Sequence, residues 1–395
     1  MLPVATAHRT RREFIGLGVG GLAVTALGAA FWNDLFGAAT HGRLHRGPGY
    51  GPLRDPDDHG IRLPEGFSSR VVAQGRKRVP GTDYTWHIAS DGAATFQIHR
   101  GGWIMVSNCE ATPGGASAIR FRPDGSIADA YPILEGTAQN CSGGATPWGT
   151  WLSCEEVQNG IVYECDPTGR RKAVPRPAMG VFKHEAAAVD PHGRHVYMTE
   201  DWENGGFYRF TPKRWPDLSK GTLEIARFGK GGRVAWARVP DPSARSAHTR
   251  NQVKGSARLA RAEGIWFDGG IVYLSTTLDS QVHAYDTRRG RVEVIYDGLA
   301  TPNAPLTMPD QMTASRVGEL FVAEDNHAAD IDVGLIDRRR RVSRFLTLSG
   351  EQHAGSEATG LAFDPSGKRL YVSSQRGHGG GVIYEIRGPF RGARH

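Results

Sequence analysis

Residues 140–156, "NCSGGATPWGTWLSCEE", run from a cysteine through a turn into an apolar strand that ends on two adjacent carboxylates, Glu155 and Glu156. An ordinary surface hairpin ends on Gly, Asn or Lys, so one acidic ending could be an accident of a polar turn, whereas a recurring one is architecture. It recurs. Strands of the form small–aromatic–apolar begin at Trp103 (WIMVSNCE), Thr150 (TWLSCEE), Val196 (VYMTED), Val272 (VYLSTT), Leu320 (LFVAED) and Leu370 (LYVSSQ). Their starts lie 47, 46, 76, 48 and 50 residues apart, the period of four-stranded propeller blades. The long interval holds "TPKRWPDLSKG" and the polar segment 240–258, read as an insertion into one blade at about 213–258. The expected fold is all-β, a six-bladed β-propeller formed by residues 41–395 as one domain. The 52 glycines and 23 prolines of this 395-residue chain agree with many short strands and tight turns.

Each of these strands follows another across a turn such as "DPHG", "DGG", "RVG" or "DPSG", so each blade opens with a hairpin. The first strands enter at Asp91, Cys141, Glu185, Glu263, Asp310 and Glu357. All six carry metal-ligating groups. First strands line the axis of a propeller and second strands return to the same rim. Glu110, Glu155, Glu156, Glu200, Asp201, Glu324 and Asp325 are therefore expected at that mouth too, with Thr276, Thr277 and Gln375 in the matching places of the other blades. So many carboxylates in one funnel repel one another unless cations neutralise them. The inference is a polynuclear metal site: oxygen ligands suit calcium, magnesium or ferric iron, and one thiolate favours a transition metal at one position. The bland alternative, solvated hairpin tips with Cys141 in a disulfide, suits one blade better than six in register.

The N-terminus, "TRREFIGLGVGGLAVTALGAAFW", places Arg11, Arg12 and Phe14 before a Gly/Ala-rich apolar run ending near Ala30. It reads as a twin-arginine export signal over residues 1–40 with its linker, engaging the twin-arginine machinery and leading to a periplasmic or extracellular location. The run is shorter than the roughly 20 residues that span a bilayer, so a membrane contact is expected only if the signal stays uncleaved. Net charge is +7, with Lys and Arg scattered rather than gathered in a stripe, which argues against nucleic acid. The run Arg338–Arg341 reads as a hairpin tip. Four cysteines in an oxidising compartment are expected to pair, with Cys154 and Cys165, flanking a hairpin, the first choice. No G-x-S-x-G elbow and no P-loop occurs. A closed ring is expected to be a monomer.

The stretches "NCSGGATPWGTWLSCEE", "KHEAAAVDPHGRHVYMTED", "RAEGIWFDGGIVYLS", "MPDQMTASRVGELFVAED" and "SEATGLAFDPSGKRLYVSSQ" span most of residues 85–378, and the chain resembles the PhoX-type alkaline phosphatases. The resemblance implies a six-bladed propeller exported by the twin-arginine route, with a pair of ferric ions and several calcium ions in its funnel, hydrolysing phosphate esters. It implies Cys141 as the thiolate iron ligand, Glu185 and Glu263 as carboxylate ligands, and Arg261 as the phosphate-contacting arginine. Glu155, Glu156, Glu200, Asp201, Asp310, Glu324, Asp325 and Glu357 become candidate calcium or bridging ligands. Cys109 stands where a histidine is expected, which sets Glu110 apart. Lys183 and His184 are candidate proton donors. The competing readings are a calcium-dependent lactonase or esterase, a phosphodiesterase, and a binding propeller whose metals are structural.

Overall fold

The apolar-alternating hairpins each recruit two or three further strands, and the result is six antiparallel sheets. The computed structural model describes residues 49–326 and 328–393; the export signal read at residues 1–40 lies outside them. From the axis outward, blade 1 comprises Ser90–Gln97, Trp103–Cys109, Gly114–Phe121 and Ile127–Thr137, and blade 2 Asn140–Ala145, Trp151–Glu155, Val162–Cys165 and Val174–Pro175. Blade 3 has five strands: His184–Asp190, His195–Glu200, Phe207–Arg214, Asp217–Phe228 and Val234–Arg238. The read insertion thus forms most of its outer hairpin, its fifth strand and the return to residue 261. Blade 4 runs Ala262–Asp268, Ile271–Thr276, Gln281–Asp286 and Arg291–Asp297. Blade 5 runs Pro309–Ala314, Leu320–Glu324, Asp330–Ile336 and Val342–Ser349, with Ile61–Arg62 on its edge. Blade 6 takes Ala358–Phe363, Arg369–Ser374 and Val382–Arg387 from the end of the chain, and its outer strand, Ser68–Gln74, from the beginning. That strand ties the two ends of the chain into one sheet and leaves no blade missing an edge.

The core follows from this ring. Six apolar clusters lie each between two neighbouring blades: Ile104, Val106 and Trp151 join blades 1 and 2; Leu152, Val189 and Phe210 join 2 and 3; Tyr197, Phe207 and Leu274 join 3 and 4. Tyr273, Met312 and Val322 join 4 and 5; Phe321, Leu370 and Tyr384 join 5 and 6; Trp103, Ile119 and Tyr371 join 6 and 1. Each fully buried large side chain contributes roughly 1.5–3 kcal/mol, and every one of these clusters is buried by two blades together. The expected Cys154–Cys165 disulfide is not formed, and all four cysteines are free thiols. In the hairpin that joins them Cys154 faces Val162 and Cys165 faces Trp151, three positions out of register, so the two sulfurs do not meet.

One local device repeats around the axis. In every blade the pairing of first and second strands is interrupted by a bulge near the axis end, for example between Ser90 and Ala93, Asn140 and Gly143, and Ala262 and Ile265. In five blades the entry residue sits inside the bulge, where an extra residue re-aims a side chain. The chain reaches these bulges through strained backbone: Ala89, Gln139, Arg261 and Met308 have φ of 47°, 43°, 56° and 41°, each two residues ahead of an entry residue. Such left-handed residues cost on the order of 1–2 kcal/mol apiece, and the hydrogen bonds Glu110 N–Ala89 O, Glu156 N–Gln139 O and Asp325 N–Met308 O hold them.

Candidate metal centre

The bulges aim the entry side chains at the axis, and the second strands sort their acidic endings by alternation. Glu110, Glu156, Asp201 and Asp325 face the funnel. Their chain predecessors point the other way, into the blades. Glu155 accepts from the Ala138 and Ile161 amides, and Glu324 from the amides of Thr307 and Asp332 and the side chains of Thr307 and Asn326. Glu200 takes the Gly206 amide, the Tyr208 hydroxyl and Arg250. Glu155, Glu200 and Glu324, read as candidate ligands, therefore lie outside the pool. Cys109 occupies the same inward place in blade 1 as Glu155 does in blade 2.

The pool itself contains Asp91, Glu110, Cys141, Glu156, Glu185, Asp201, Glu263, Asp310, Asp325 and Glu357. Three groups of ligand atoms lie within 4.8 Å of one another: Asp91, Glu110 and Cys141; Cys141, Glu156 and Glu185; Glu185, Glu263 and Asp310. Cys141 is shared by the first two and Glu185 by the last two, so the groups form a connected chain. The Cys141 thiol donates to Glu185 Oε1 at 3.2 Å. Burial pushes the Cys141 thiol, and the carboxyls of Glu185, Glu263, Asp310, Glu156 and Glu357, well above their usual ranges, and neighbouring acids add to the effect. Asp91 is raised to about 7 by burial and by Glu110, even though the Gln311 and Gln375 amides and the Gly92 N–H all donate to it.

Three cations ring the mouth. Arg261 pairs with Asp201 at 2.8 Å, Glu263 at 2.7 Å and Asp325 at 3.1 Å. Lys183 pairs with Glu156 and Asp201, both at 2.7 Å. Arg376 pairs with Glu357 and with Glu110, the latter at 3.3 Å. Although burial opposes it, the Arg261 and Lys183 contacts hold Asp201 well below the carboxylate range. Lys183, despite its own burial, is held protonated by Glu156 and Asp201. Lys183 and Arg261 occupy the same place in neighbouring blades, two residues ahead of Glu185 and Glu263, a spacing that was visible in "KHE" and "RAE". Arg376, one residue past Gln375, carries no such signal. His184 turns away: it is buried, its Nε2 lies 3.0 Å from Gly180 O, and its ring stacks on Phe182. Burial lowers it to about 3.

Nine carboxyls face three cationic side chains, leaving six formal negative charges before the thiol is counted. Glu185 Oε2 and Asp310 Oδ1 are buried without a hydrogen-bond partner. Buried acceptors are normally satisfied, and shared carboxylates beside one thiol are a donor set for adjacent cations. The residues present fit a group of bound metals. Fold and pool define a six-bladed propeller whose funnel could hold several cations.

The family described as alkaline phosphatase PhoX matches this chain over residues 112–165 and 158–296, from blade 1 to the end of blade 4. Among solved structures it is similar to Pseudomonas fluorescens PhoX in complex with vanadate, a transition state analogue: TM-score 0.72, 18% identity, covering 87% of this chain and 99% of that one. It is also similar to a Bacteroides thetaiotaomicron protein of unknown function, with TM-score 0.51, 13% identity and coverage of 81% and 76%. A Xanthomonas campestris gluconolactonase reaches TM-score 0.48 at 16% identity, covering 86% and 98%. No curated protein matches the chain.

Proposed function

We propose that this protein is an exported phosphatase that hydrolyses phosphate monoesters in the propeller funnel, with iron and calcium bound by the acid–thiol pool. The observation that carries the reading is the pool's uncompensated charge beneath Arg261. Cys141, Glu156 and Glu185 would hold iron, with Glu185 reaching toward Glu263 and Asp310; the oxygen-only positions Asp91, Glu110, Asp325 and Glu357 suit calcium. Such cations supply Lewis acidity and activate water at ordinary pH.

The chain's own residues bind and orient. Arg261, about one-quarter exposed through its side chain, is held at the mouth by three carboxylates that engage all three of its nitrogens, and its remaining N–H capacity and charge serve the phosphate oxygens. Asp201 positions both Arg261 and Lys183, so the positive rim is rigid before substrate arrives. Hydrolysis breaks the P–O bond to the alcohol, joins a water oxygen to phosphorus and returns a proton to the alcohol oxygen. Charge on the equatorial oxygens is what the rim stabilises. The vanadate bound to Pseudomonas fluorescens PhoX supports a phosphoryl-transfer site in this fold.

The test is p-nitrophenyl phosphate hydrolysis at alkaline pH by protein exported through its own signal, with calcium and after chelation. Turnover lost on chelation is the expected result; no turnover from metal-loaded protein would contradict the reading. Export itself is tested by replacing Arg11 and Arg12 with lysine, which is expected to leave the protein in the cytoplasm.

A further inference from the structure

Six large apolar side chains are exposed among the described residues: Val71, Val174, Trp202, Leu278, Val294 and Leu299. Val71, Val174 and Val294 lie on outermost strands and Leu299 just past one, where scattered apolar residues are ordinary. Trp202 and Leu278 are different. Each stands one residue beyond a funnel position, Asp201 in blade 3 and Thr277 in blade 4. Both are fastened to the turn that carries Arg261: Arg261 N donates to Trp202 O at 3.1 Å, Leu278 N to Ala260 O at 3.1 Å, and Thr277 N to Arg261 O at 3.0 Å. The two exposed apolar residues therefore flank the arginine's turn at the mouth.

Trp202 is also backed from below. The Arg250 guanidinium lies 4.7 Å from its ring centroid. Arg250 comes from the blade 3 insertion and is paired with Glu200, whose side chain is fully buried. Tyr208, which donates to Glu200, also meets Thr249 of the insertion at 2.9 Å. A buried ion pair carries a desolvation cost, and here it clamps a cation beneath one face of an indole that is 41% exposed. A flat ring held on one face by a cation presents the other for stacking.

Building on the phosphatase reading, we propose that Trp202, seated on Arg250 and bordered by Leu278, receives the alcohol part of the ester, and that the protein prefers phosphate monoesters of aromatic alcohols. The inward turn of Glu200 then has a role: it holds the support of the platform. The phosphate remains with Arg261, so recognition divides between a polar and an aromatic subsite.

The test compares 1-naphthyl phosphate with glycerol 2-phosphate in the metal-loaded full chain, with inorganic phosphate as competing inhibitor. Trp202→Ala is expected to lower the naphthyl-to-glycerol ratio of kcat/KM about 3- to 10-fold, the range that aromatic contacts contribute, through KM for the aryl ester. Trp202→Phe is expected to restore most of the ratio, and inhibition by inorganic phosphate to hold its strength. An unchanged ratio in Trp202→Ala, with both esters still hydrolysed, would overturn the platform while leaving the phosphatase reading intact. Wild-type protein that hydrolyses neither ester would overturn both.

Discussion

At each blade's rim, adjacent residues of one chemical type do opposite things. Glu156 and Asp201 face the funnel, while Glu155 and Glu200 are consumed by backbone amides and an arginine inside their blades. The difference is testable by charge removal. Glu185→Gln is expected to lower metal content and activity at least 100-fold while the chelated protein melts no lower than wild type. Glu200→Gln is expected to cost about 3–5 kcal/mol, the range for breaking a buried ion pair, with metal content unchanged in the folded fraction. Cys141→Ser is expected to remove iron preferentially, because a hydroxyl is a poorer soft ligand than a thiolate; equal iron in both proteins by elemental analysis would count against the assignment. All six entry residues were readable because chemistry and a regular interval mark them together. Which of two neighbouring carboxylates faces the axis was not. Alternation along the second strand says only that the two point opposite ways, not which of them meets the funnel.

The hairpin is the element that makes the pool, and glycine sets how closely hairpins approach. A Cβ on Gly264, the residue after Glu263, would lie 2.4 Å from Asp310 O, and one on Gly92, after Asp91, 2.5 Å from Ser142 Cα. Both contacts are to backbone of the next blade, which has nowhere to move. Gly264→Ala is expected to destabilise by about 1–3 kcal/mol, as overpacking does, and to weaken metal retention because it parts Glu263 from Asp310; the paired readout is a denaturant midpoint and metal loss against a chelator series. The repeat of about 47 residues and the small–aromatic–apolar strands made the six hairpins legible. The absent Cys154–Cys165 bond shows the limit: two cysteines flanking a turn say nothing of register, and this hairpin sets them three positions apart. The rim cation Arg376 was equally hidden, since it joins Glu357 of its own blade to Glu110 of blade 1.

For the whole molecule, closure of the ring and neutralisation of its axis are coupled. Ser68–Gln74 completes blade 6, so every inter-blade cluster is in place only when the chain ends have met, and the acids are then forced together. In metal-free protein these acids are stabilising only when protonated. Asp91 titrates near 7 in the fold, above the ordinary value of about 3.9, so its contribution is present at low pH and lost as pH rises through 7. The pool acids raised further act in the same direction. Burial lowers His87 to about 4 and His184 to about 3, and lowers His195, His283 and His353 as well; these work the other way, removing stability as pH falls below about 6.5, but the raised acids outnumber them. Chelated protein is therefore expected to melt at progressively lower temperature as pH rises from 5 through 7, while metal-loaded protein does not, so the gap between the two widens over that range. Parallel melting profiles would mean that the funnel acids are neutralised by something other than cations. The most direct measurement is elemental analysis of the exported protein, taken before any metal is added back. Iron and calcium are expected together, with ionic charges summing to at least the pool's six negative charges; a folded, exported protein carrying no stoichiometric metal would rule out a metal-filled funnel.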